Sequence, residues 1–129
     1  MKTRRKFLGS LPLLGVGLAL SNPIKAKPEK SIMIHQVFFW LKNPEKDLKS
    51  VKKGCQKLAK IKFVKKAFIG VPAPTANRPV VDHSFHISLT IHFESLDDHD
   101  FYQKNDDHLK FVERHEHKWE KVSVFDIHV

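Results

Sequence analysis

Hydrophobic positions along this chain follow two periods. From residue 32 to 41 nearly every position is apolar. Ile32, Ile34, Phe38 and Trp40 form one alternating set, and Met33, Val37, Phe39 and Leu41 form the other. A β-strand that is apolar on both faces needs cover on both. Between residues 81 and 94 the alternation is one-sided. Phe85, Ile87, Leu89, Ile91 and Phe93 point one way, and His86, Ser88, Thr90 and His92 the other, as in a half-buried strand. Residues 63–71 predict a further strand, closed by Gly70 and Pro72. Residues 122–129 predict a last one, with Val122, Val124 and Asp126 on one side and Ser123, Phe125 and Ile127 on the other.

Helical spacing fills the intervals. Asn43-Pro44-Glu45 is a helix start, with a capping side chain, a proline in the first turn and then an acid. Leu48, Val51, Cys55, Leu58 and Ala59 carry that helix to about residue 60. Ser95-Leu96-Asp97-Asp98 starts a short helix to about residue 102, with its acids at the positive end of the dipole. A further helix begins near residue 106, and His108, Phe111, Val112, His115 and Trp119 fall on one face of it. Pro72, Pro74 and Pro79 mark the connection before the third strand as a rigid loop. The order strand, helix, strand, strand, helix, strand is that of an α+β, ferredoxin-like β-α-β-β-α-β domain. Its four-stranded antiparallel sheet carries helices on one face. A domain this small has few helices to cover the other face. A second copy of the chain is the economical cover, so a homodimer through the sheet face is expected.

The N-terminal stretch does not fit this pattern. Lys2, Arg4, Arg5 and Lys6 precede an apolar run over residues 8–20, and polar, proline-bearing sequence follows from Ser21. That is the order of an export signal, and the run is shorter than the ~20 apolar residues of a spanning helix. Thr3-Arg4-Arg5-Lys6-Phe7-Leu8 resembles the twin-arginine signal of bacteria. Residues 1–26 are therefore read as export signal and leader, cut after residue 21 or 26, and residues 32–129 as the domain. A periplasmic or secreted protein with no stable membrane anchor is expected. The full chain carries a net charge of +9. Removing residues 1–26 takes away Lys2, Arg4, Arg5, Lys6 and Lys25 and no acid, which leaves 18 basic residues against 14 acidic ones, a net charge of about +4. The remaining lysines are dispersed along a helix face, which argues against nucleic-acid binding. Cys55, the one cysteine, can form no intrachain disulfide and reads as a small buried thiol.

Four segments, in order, carry a family resemblance. They are Ile34-His35-Gln36-Val37-Phe38, Phe93-Glu94-Ser95-Leu96-Asp97-Asp98 followed by Phe101-Tyr102, Asn105-Asp106-Asp107-His108-Leu109-Lys110-Phe111-Val112, and Val122-Ser123-Val124-Phe125-Asp126. They resemble, respectively, the His-bearing first strand, the strand-to-helix junction, the His-x-x-Phe helix and the closing strand of the stress-responsive A/B barrel family. The resemblance covers nearly all of residues 32–129. It implies a ferredoxin-like monomer that pairs sheet to sheet into a dimeric barrel, and it implies no single activity. Most similar members are unassigned. One plant member assembles into rings, and another closes a polyketide by aldol chemistry without a cofactor.

Comparison with that cyclase type points to Tyr102 and His108 as an acid/base pair and to His35 as a first-strand pocket residue. Its third-strand histidine has no clean counterpart, since Ile87 falls there beside His86, and Asn105 replaces a further helix histidine. An imidazole near its ordinary pKa of ~6.5 removes a proton, and a phenol donates to an oxyanion. The alternative reading makes Tyr102 and His108 pocket-wall residues with satisfied hydrogen bonds. Phe111 and Val112 complete the expected pocket. No cofactor and no metal are expected. There is no Gly-rich phosphate loop, and His115 and His117 are two apart on a helix and diverge. A surface group of Asp82, His83 and His86 is the nearest alternative metal site. Two function classes stay open. In one, a small-molecule barrel acts as a cofactor-independent lyase, cyclase or monooxygenase-like enzyme on a small apolar ligand. In the other, a structural or binding protein has this space filled by Phe and Trp side chains.

Overall fold

The doubly apolar segment at 32–41 becomes the central strand. The computed structural model describes residues 32–129; the expected export signal and cleavage site lie outside the described residues. Strand β1 (Met33–Leu41) leads into helix α1 (Pro44–Leu58), then strands β2 (Lys66–Gly70) and β3 (Ile87–Phe93). Helices α2 (Leu96–Lys104) and α3 (Asp106–His115), a 3-10 turn (Glu116–Lys118) and strand β4 (Trp119–His128) follow. The sheet order is β2-β3-β1-β4 with every neighbour antiparallel, which is the ferredoxin-like arrangement.

Side-chain alternation sorts the sheet into two faces. Met33, His35, Val37, Phe39 and Leu41 of β1 are buried, and so are Ile87, Leu89, Ile91 and Phe93 of β3. Together with Val51, Cys55 and Leu58 of α1, Tyr102 of α2 and Phe111 of α3 they form the core. Burial pushes the Cys55 thiol up to about 12, so it stays protonated. The opposite face of β1 is only half buried, at Ile34, Gln36, Phe38 and Trp40. On that face Phe38 meets Phe85 at 5.0 Å and Phe125 at 6.0 Å between ring centres.

Local chemistry explains the element ends. The Asn43 side chain accepts from Lys46 N and the Ser95 side chain from Asp98 N. Asn105 ends α2 and starts α3, its side chain accepting from Asp107 N. Gly54 sits where α1 crosses α3. A Cβ there would lie 2.7 Å from His115 Nε2 and 2.9 Å from a Phe111 ring carbon, so the crossing requires glycine.

Three sequence expectations shift. The third strand begins at Ile87, not near residue 81. Before it, Asp82 accepts from Ser84 N, and the His86 ring takes the Leu41 N–H at 2.9 Å where a strand would offer a carbonyl. The second strand is shorter than residues 63–71, because Val64 N donates to Ile61 O in a turn. Trp119 does not lie on the α3 face; the helix ends at His115, and Trp119 opens β4.

Candidate functional site

Five residues singled out in the sequence meet at one cavity. His35 of β1, Tyr102 of α2, and His108, Phe111 and Val112 of α3 all line a space between helices and sheet. Its volume is about 160 Å³, with Trp119, Val122 and Val124 of β4 on its remaining wall. The helices lie over β1 and β3, so the β4 side chains on this face stay exposed, Val124 at 49%. The space is smaller than the ~300 Å³ or more of a drug-sized pocket. It suits a single-ring molecule, since an apolar cavity of ~150 Å³ holds benzene. A larger groove of about 390 Å³ lies between α1 and α3, lined by Lys57, Lys110, Arg114 and His115, and it contains neither Tyr102 nor His108.

The rings of Tyr102 and His108 are 4.8 Å apart between centres and tilted by 55°. Tyr102 is almost fully buried, and desolvation drives its phenol well above the usual range, so it remains a neutral donor. Burial also holds the His108 imidazole below its ordinary pKa, the Gln103 backbone working the other way. No group among the described residues meets the buried His108 Nδ1 at hydrogen-bond distance and angle, although the Gln103 backbone lies close enough to the ring to favour its charged form. A buried polar atom left unpaired costs about 1–3 kcal/mol, so such atoms are few and call for a reason.

His35 sits across the cavity, its ring centre 6.1 Å from that of Tyr102. Its Nδ1 lies 2.6 Å from Asp126 Oδ1 on β4. The carboxylate accepts, so Nδ1 carries the proton and Nε2 keeps a lone pair. Desolvation lowers the His35 pKa, with the Asp126 hydrogen bond and charge opposing. Strand register makes the contact, because His35 pairs directly with Asp126. His99 of α2 adds a third group, 5.1 Å from His35 between ring centres. The sequence reading missed His99, although it lies three residues before Tyr102 and so on the same helix face.

The surface histidines do not converge. His83 Nε2 is bonded to Thr75 Oγ1 at 2.7 Å, while His86 is committed to the Leu41 amide and Asp82 to the Ser84 amide. His115 is buried at the end of α3, with Lys118 Nζ 3.1 Å from its Nδ1. Among the described residues no helix is long and apolar enough to cross a membrane.

A family model for the stress responsive A/B barrel domain matches residues 33–129. The chain belongs to this family. Solved structures agree on the fold. A Dabb-family protein with a ferredoxin-like fold from Mesorhizobium loti is 23% identical, covering 75% of this chain and 95% of its own, with a TM-score of 0.57. A dimeric ferredoxin-like protein of unknown function from Bacteroides fragilis is 22% identical over 76% of this chain and 96% of its own, at a TM-score of 0.58. The hydroxynitrile lyase of Passiflora edulis is 20% identical, covers 80% of this chain and 95% of its own, and has a TM-score of 0.65. No functionally curated protein shows significant similarity to the chain. This A/B barrel domain thus shares a scaffold both with proteins of unknown function and with a lyase.

Proposed function

We propose that this protein is an exported A/B barrel homodimer whose cavity binds a small, mostly apolar molecule with one oxygen function, on which His108 and Tyr102 do acid–base work. The observation that carries the reading is the buried, unpartnered Nδ1 of His108 in the wall that Tyr102 also lines. A ligand hydroxyl or carbonyl would supply the missing partner. The buried phenol would donate to a developing oxyanion, and the His35–Asp126 pair would fix the opposite wall. The homodimer is supported by the half-buried aromatic sheet face and by the dimeric relative.

The lyase relative names a first substrate class. In cyanohydrin cleavage a base takes the hydroxyl proton, the oxygen electrons form the carbonyl, and the carbon–carbon bond breaks to release cyanide. Aromatic cyanohydrins should be offered to the protein while aldehyde release is followed. With turnover, His108→Ala should lower it about 10²–10⁴-fold. Tyr102→Phe should lower kcat with less effect on KM. The base must be neutral. Because burial lowers the His108 pKa, the acid limb of kcat/KM should fall below pH 6.5, not above it. Binding without turnover, seen as NMR shifts around Tyr102 and His108, would keep the pocket and remove the lyase chemistry. Neither turnover nor shifts would leave the second class, a structural dimer.

Export rests on the paired Arg4 and Arg5 before an apolar run. Replacing both with lysine should block a twin-arginine route and leave the uncut chain inside a bacterial host. Unchanged export would point to an ordinary secretory signal.

A further inference from the structure

We infer that His35, His99 and Asp126 form a divalent-cation site of the zinc type at the rim of the cavity. Among the described residues, these three form a group able to hold an ion, with one donor atom from each lying within 4.8 Å of the others. They come from three elements, β1, α2 and β4, so sequence neighbourhood does not explain their meeting. Two imidazoles and one carboxylate are the donor set of three-ligand zinc sites, with a fourth position left for water.

The surroundings suit a cation. The charges acting on His35 are those of Asp126 and His99, with no lysine or arginine among them. His99 Nδ1 lies 3.1 Å from Asp100 Oδ1, so a carboxylate outside the group holds that proton and leaves the lone pair on Nε2. What Nε2 meets now is the Gln103 amide nitrogen at 3.4 Å, a long contact that an ion displaces easily. The His35 side chain is 6% exposed and that of Asp126 46%, so the site has a fixed inner ligand and an open outer one. Two adjustments are needed: the widest donor pair, up to 4.8 Å apart, closes as the rings turn toward the ion, and the tightest pair opens. His35 Nδ1 and Asp126 Oδ1 are 2.6 Å apart around a shared proton. Two donors on one tetrahedral zinc stand roughly 3.3 Å apart, given bonds of about 2.0–2.2 Å. The His35 imidazole moves its proton from Nδ1 to Nε2, the freed Nδ1 lone pair binds the ion, and the exposed Asp126 side chain swings outward by the difference. The inference does not require the cavity to be catalytic.

The test is calorimetric titration of the purified chain with Zn²⁺, paralleled by Co²⁺ with its visible absorption recorded. One ion per chain is expected, with the intense bands of four-coordinate cobalt. His99→Ala and Asp126→Asn are both partly exposed substitutions. Each should weaken binding by about 10–100-fold or more, while His83→Ala leaves it unchanged. Zn²⁺ should also raise the unfolding temperature of the parent chain and not that of the two variants, which shows in the same run that the variants fold. Failure to bind either ion at ~100 μM, binding that survives both substitutions, or binding lost with His83→Ala would each overturn the site.

Discussion

Phe93→Ala is expected to destabilise the domain by about 3–5 kcal/mol. Phe93 closes β3 on its buried face and is fully inaccessible. Its ring stands 5.1 Å from Tyr102, 5.5 Å from His99 and 6.2 Å from His35, centre to centre. All three neighbours belong to the cavity wall or its rim, so the ring is the floor on which they are held. Alanine removes its dispersion contacts and leaves a void that the flanking strand cannot close, because β3 is paired on both sides. For a domain of this size the unfolding midpoint should drop by roughly 12 °C or more. Thermal unfolding followed by circular dichroism checks it. A loss under ~1 kcal/mol would mean that the core repacks and that the floor is dispensable.

Phe38→Asp is expected to leave the proposed homodimer as monomers at micromolar concentration while each domain stays folded. Phe38 lies on the face of β1 away from the helices, between Phe85 and Phe125. Phe125 is 55% exposed and Ile127 41% exposed in the single chain, and both lie on this face by register with Gln36 and Ile34. Covering that apolar strip is what a second copy would do. Under twofold symmetry one substitution places a carboxylate in the contact twice. An unpaired charge buried at the centre of an interface costs several kcal/mol, enough to raise the dissociation constant by about 10²-fold or more. Light scattering on a sizing column reads the mass directly. A variant that remains dimeric would place the contact elsewhere.

Both substitutions probe the same alternation, read from its two sides. The one-sided pattern of Ile87, Leu89, Ile91 and Phe93 was legible because a strand with one wet face must alternate. The two-sided pattern of β1 was legible for the same reason, and it carried the dimer expectation with it. Helix starts at Asn43 and Ser95 were legible because free backbone N–H groups need an oxygen nearby. The start of β3 was not. Residues 81–86 have strand-like residues, but the Leu41 amide is met by the His86 ring, a long-range contact that no local spacing encodes. Trp119 was misplaced because the α3 periodicity continues in phase past the point where the 3-10 turn interrupts it.

The site divides along the same line. The family resemblance, and not spacing, pointed to Tyr102 and His108 as a pair and to His35 as a pocket residue, since Tyr102 and His108 stand on different helices. Strand alternation by itself determined that Asp126 would share a side of β4 with Val122 and Val124. Which strand lies beside β1, and in which register, is settled by how the whole hydrophobic surface closes. That closure sets Asp126 against His35 and brings His99 over both. Only the tertiary structure therefore decided that three groups from β1, α2 and β4 meet at one rim, and that the space beside them is the size of one ring.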